Sequence, residues 1–300
     1  MFRAPNLPLM TALAISSVVV VSTAAQAQQP VAAATNPANP PSSYADVADL
    51  AVDSSTILDA RIRRATPVPV AQAAGIPPHL VRLYVEADVN AVLYGRDPVA
   101  QRVGYLVDQP RLPNGRTPRL NRQRVLLFAR AVTTANRVQL INPGAQMLWD
   151  AGREATARAI VGELAGGNVP PQITGVSQAF HVAGTVAGEG ETQIFLRTAS
   201  GDPVSLSILR RPGVQPTWAV AFGEIVDESA RVPSRRTLGW YRLACGLPSA
   251  LPPASIASLA GEDARIAAQD YAFVLRRLGP CDRTPPPAPM VTPVTAAKPG

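Results

Sequence analysis

The sequence predicts an α+β protein: a five-stranded barrel, then a four-stranded antiparallel sheet with three helices. Three observations predict it. Residues 79–94 (HLVRLYVEADVNAVLY) alternate, with Val81, Leu83, Val85, Ala87 and Val89 on one face and Arg82, Tyr84, Glu86, Asp88 and Asn90 on the other. A period of two is that of a strand with one dry face and one wet face. Shorter strand patterns flank this stretch between residues 57 and 141. Beyond residue 149 the chain changes character, and helical stripes appear around four further strand patterns.

Residues 1–27 read as a secretory signal peptide: Arg3, a short apolar run over 9–21, and the small-x-small site Ala25-Gln26-Ala27. Residues 28–43 are rich in Pro, Ala and Asn without periodicity, and are expected to be a disordered leader. A helix follows over 44–52, with Ser43 as N-cap and Asp46 three residues on. Strands are expected over 57–66, 79–94, 102–108, 124–132 and 137–141. The first is followed by a Pro- and Gly-punctuated loop over 67–78, the third by a polar loop over 109–123. The fourth strand, RVLLFARAV, is nearly continuous in apolar residues, as in a strand buried on both faces.

This order resembles an OB-fold-like barrel, of the kind found in secreted bacterial proteins of uncharacterised role. The order is strand, long strand, short strand, RVLLF-type strand, then a strand ending at Asn142-Pro143-Gly144. The resemblance covers about residues 57–141. It implies a ligand surface across the second and third strands, where Arg82 and Tyr84 lie on the wet face.

In the second half, a helix is expected over 152–164, with Ala155, Ala159, Ile160 and Leu164 on its apolar stripe and Gly166-Gly167 at its end. Strands are expected over 173–182, 191–198, 203–210 and 217–225, the middle pair joined by the hairpin signal Ala199-Ser200-Gly201-Asp202. Ser234 is the expected cap of a helix over 235–246. A last helix over 262–278 carries Ala267, Tyr271, Val274 and Leu278 on one face, with Gly279-Pro280 as its stop. The expected domains are therefore the barrel over 44–148 and the α+β domain over 149–281, followed by a disordered Pro-rich tail over 282–300.

The net charge is +7, or +6 once Arg3 is removed (27 basic against 21 acidic residues), and Lys298 is the only lysine. An arginine bias of this kind follows from a G+C-rich coding sequence, so nucleic acid is not the expected partner. The densest basic stretch is the polar loop, with Arg116, Arg119 and Arg122 as candidate binding residues for an anionic envelope polymer. No aromatics interleave with them, which removes base stacking from consideration. Cys245 and Cys281, an even pair in an exported chain, are expected to form a structural disulfide. With two cysteines so engaged and only His79 and His181 besides, no His/Cys metal site can be assembled. His181 with Glu189 or Glu191 supplies the residue types for general acid–base chemistry. Gly188-x-Gly190 lacks the third glycine of a dinucleotide loop, and neither a Walker sequence nor a G-x-S-x-G elbow is present. No cofactor is expected, and no span in the mature chain is long and apolar enough to cross a bilayer. The expected protein is exported, to the periplasm or beyond, and non-catalytic: a binding or envelope-associated module. The alternatives are a periplasmic hydrolase using His181 and a structural partner of another envelope protein.

Overall fold

The computed structural model describes residues 42–134, 136–167, 169–223 and 230–285. The signal peptide, nearly all of the leader and the end of the tail lie outside the described residues. The chain is α+β. Helix α1 (Tyr44–Ala51) opens it, and its cap is the one the sequence predicts. The Ser43 hydroxyl accepts from the Asp46 amide at 3.0 Å, and the Asp46 carboxylate accepts from the Ser43 amide at 2.9 Å. Two of the helix's orphan donors are thereby satisfied.

Strands β1 (Thr56–Pro67), β2 (Leu80–Tyr94), β3 (Arg102–Pro110), β4 (Arg124–Thr134) and β5 (Arg137–Leu140) form a closed ring in the order β1-β2-β3-β5-β4, with β1 pairing back onto β4. Closure pairs every strand of the ring on both sides over part of its length. The pairs are antiparallel except a single parallel contact, Gly104 with Arg137. Along β2, Leu83, Val85 and Ala87 are fully buried. Val89 is only half-buried, because β2 runs past its last partner on β3, at the Asp88–Arg102 pair. Glu86 is half-buried rather than exposed, since it stands beside Arg64 of β1. In β4, Val125 through Ala129 are all fully buried, as the continuous apolar run requires. A short strand that the sequence did not signal, β6 (Gln146–Leu148), pairs with β4 through Val125 and Leu148. Three residues are too few to display a period.

The second sheet has the order β10-β9-β8-β7, all antiparallel, from β7 (Ile173–Ala183), β8 (Gly190–Thr198), β9 (Val204–Arg210) and β10 (Thr217–Ala221). Helices α2 (Ala151–Ala165), α3 (Leu238–Gly246) and α4 (Gly261–Leu278) accompany it. The buried stripe of α4 is the expected one, Ala267, Tyr271, Val274 and Leu278, with Asp270 added.

Two helix expectations are corrected. In α2 the buried residues are Arg153, Ala157 and Ile160, while Ala155 and Ala159 are exposed. The helix is rotated because Arg153 turns inward, where its guanidinium bonds the Leu148 carbonyl at 2.6 Å and the Ser42 hydroxyl at 2.8 Å. Helix α3 begins at Leu238 with Thr237, not Ser234, as its cap. Glu163 of α2 accepts from the Leu238 amide at 2.9 Å, which fixes the start there.

Cys245, near the end of α3, is disulfide-bonded to Cys281 just past α4. Buried residues of the barrel, of the second sheet and of all four helices belong to one contiguous apolar cluster. Among the described residues, no helix is long and apolar enough to cross a membrane.

Candidate functional site

Thirteen arginines and five carboxylates lie within residues 56–148, a net of +8; the remainder of the chain therefore carries −1. The protein's whole positive excess resides on the barrel. Four of the thirteen are ion-paired, with three carboxylates of the barrel between them. Arg82 forms a two-pronged pair with Asp108 directly across the β2–β3 ladder, at 2.7 and 2.8 Å. Arg63 and Arg102 share Asp88, and Arg124 grips Asp59 at 2.9 and 2.7 Å. The other nine, Arg116, Arg119 and Arg122 among them, have no carboxylate within ion-pair distance among the described residues.

The polar loop between β3 and β4 is pinned to the barrel. Leu120 is buried, the Arg122 amide donates to the Ile62 carbonyl, and the Ile62 amide donates to the Gln123 carbonyl, both at 2.8 Å. Arg122 takes a φ of 70°, a left-handed conformation that these bonds hold in place. A tight turn at Leu112–Arg116 orders the other end, where the Leu112 amide donates to the Arg116 carbonyl at 2.9 Å. Arg116, Arg119 and Arg122 are all exposed. Their guanidiniums are thus presented by a fixed backbone, which lowers the ordering cost of binding.

On the expected ligand face the two candidates differ. Arg82 spends its guanidinium on Asp108. Tyr84 is exposed and lies across Gly104 of β3, where a side-chain carbon would come within 2.3 Å of its hydroxyl. Tyr84, Arg64, Glu86 and Gln72 line a shallow groove of about 330 Å³. A larger groove, about 950 Å³, lies elsewhere, lined by Pro170, Pro171, Phe222, Arg231 and Pro233 among others.

His181 faces inward from β7 and is 8% exposed. Its Nδ1 lies 2.8 Å from the hydroxyl of Thr192, its cross-strand partner on β8. That hydroxyl donates to Asp270 of α4 at 2.6 Å, and Arg210 of β9 donates to the same carboxylate at 2.7 Å. The Thr192 hydroxyl has one proton and gives it to Asp270, so it must accept from Nδ1–H of His181. That bond orients the ring, and of the two neutral tautomers it selects the one whose Nε2 carries the lone pair. Glu189 and Glu191 are exposed, and Glu191 projects from the opposite face of β8 to Thr192. The structure thus brings His181 to Asp270 through Thr192, and does not bring it to either glutamate. One signal in the sequence pointed to Asp270: it sits between Ala267 and Tyr271 on the apolar stripe of α4, where a carboxylate needs a partner. Among the described residues, no group of three or more His, Cys, Asp or Glu side chains is placed to hold a metal ion.

No protein-family model matches the chain, and no curated protein matches it either.

Proposed function

We propose that the protein is an exported, non-catalytic binding module whose barrel holds an anionic polymer rich in phosphate or carboxylate groups. The observation that carries this reading is the segregation of charge: +8 on residues 56–148 against −1 on everything else. A field of one sign raises the local concentration of an oppositely charged polymer and speeds its capture. Arginine adds paired hydrogen bonds to phosphate and carboxylate oxygens. The apolar run and the cleavage site within residues 1–27 support export, and the Cys245–Cys281 disulfide agrees with an oxidising compartment.

The test is a titration of the purified protein with long-chain polyphosphate and, in parallel, with polygalacturonate. Binding is expected to weaken steeply as salt rises. The triple substitution Arg116→Glu, Arg119→Glu, Arg122→Glu is expected to weaken it at least tenfold, while the corresponding triple lysine variant retains most of it. Binding that ignores both salt and the glutamate triple would overturn the reading.

A hydrolase built on His181 is the rival, and the oriented imidazole favours it. Against it, neither groove described above is lined by His181.

A further inference from the structure

The outer face of the second sheet carries no covering element among the described residues. Phe180 and Val182 of β7, Phe195 of β8 and Leu209 of β9 project from it, each more than a third exposed. Phe180 and Phe195 meet edge to face, ring centroids 5.9 Å apart. Of the β7–β10 side chains on this face only two are charged, Glu191 near one end of β8 and Arg197 near the other. Arg197 lies across Gly175 and has no carboxylate partner among the described residues; Glu191 bonds only the Gln193 amide group, at 3.1 Å.

We infer that this face is the interface of a two-fold dimer of the protein. The arrangement is self-complementary. A two-fold axis lying between two such sheets, perpendicular to their strands and passing over Ile194, reverses each strand over its copy. Glu191 and Arg197 lie three residues either side of Ile194, about 10 Å along the strand. The axis therefore sets each Glu191 against the partner copy's equivalent of Arg197, twice over. Phe195 lies one residue to one side of Ile194. Phe180 is paired with Gln193, one residue to the other side. Under the same axis the four aromatic rings, two from each copy, alternate at the corners of a small rectangle. Each ring then faces a glutamine, Gln178 or Gln193, instead of colliding with another ring. Isologous contacts require a patch that is its own complement, and two sheets stacked at about 10 Å with nearly aligned strands are an ordinary packing. Four strands of this length bury about 1,000 Å² in total, the lower limit for a specific interface, so the dimer is expected to dissociate in the micromolar range.

Sedimentation of the purified protein across a concentration series tests this. A monomer–dimer equilibrium is expected. Phe195→Ser should weaken it at least tenfold with an unchanged melting temperature. Glu191→Arg alone and Arg197→Glu alone should each weaken it at least fivefold. The double reversal, Glu191→Arg with Arg197→Glu, should restore it, because each contact joins residue 191 of one copy to residue 197 of the other. A protein that stays monomeric to high micromolar concentration overturns the inference, as does a dimer insensitive to these substitutions or one that the double reversal fails to rescue.

Discussion

Asp59 shows how one carboxylate joins a strand to a helix. It is 2% exposed on β1 and accepts from Arg124 of β4 and from Asn90 of β2 at 3.0 Å. Arg124 in turn stacks over the Trp149 ring, 3.6 Å from its centroid. The Trp149 indole donates to Glu154 of α2 at 2.6 Å. Burial alone raises the Asp59 pKa, but the hydrogen bonds and charge of Arg124, with the Asn90 bond, outweigh it and hold the carboxyl below its ordinary value. A depressed folded-state pKa means that stability is present in full above the unfolded value, about 3.9, and is lost as pH falls through the folded value. Asp59→Asn is therefore expected to lower the urea midpoint at neutral pH. Its gap to the wild type should close only as pH falls through the depressed folded-state value, below which both side chains are neutral. A gap independent of pH would show that the loss is steric.

At the scale of elements, the segment after α4 acts as a strap across α1. Three consecutive residues take part. The Asp282 carboxylate accepts from the Ala45 amide at 3.0 Å, Arg283 pairs with Asp49, and the Thr284 amide donates to Asp46 at 2.8 Å. Tyr241 of α3 also donates to Asp49, at 2.6 Å, and burial together with that bond pushes its pKa up to about 12. The Ser43 and Thr284 amides share the Asp46 carboxylate, so the two ends of the described fold meet at one residue. Cys281 anchors the strap to α3. Replacing both cysteines by serine opens a loop of 36 residues. On the chain-entropy account that costs about 3–4 kcal/mol. The double variant is expected to melt earlier in urea and to exchange its Ala45 amide faster. An unchanged exchange rate at Ala45 would mean that the strap holds without the disulfide.

For the whole molecule, the barrel and the second sheet are tied by more than the linking chain. Arg124 approaches Glu154 at 3.5 Å, Tyr44 of α1 donates to Glu163 of α2 at 3.3 Å, and the Tyr44 ring meets the Trp240 ring of α3 edge to face. The apolar cluster is continuous through all of them. One cooperative transition is therefore expected on heating, with near-ultraviolet and far-ultraviolet circular dichroism coinciding. Two resolved transitions would show that the halves melt independently. The same scale separates charge from fold. The arginines look scattered along the chain, but within the boundaries of the closed ring they sum to a basic module on a nearly neutral partner.

The sequence by itself determined what is periodic or adjacent. The alternation of β2, the two-faced burial of β4, the Ser43–Asp46 cap and the apolar stripe of α4 each involve residues within a few positions of one another, and local geometry dictates them. The cysteine pair was legible because only two thiols exist. Only the tertiary structure decided where polar groups find partners. Arg153 turned α2 by reaching back to Ser42, 111 residues earlier. Glu163 set the start of α3 from 75 residues away, and Asp270 claimed Thr192, and through it His181, from a distance of 78. A buried polar group must be satisfied, but any element that the fold brings near can satisfy it, and no local pattern in the chain says which.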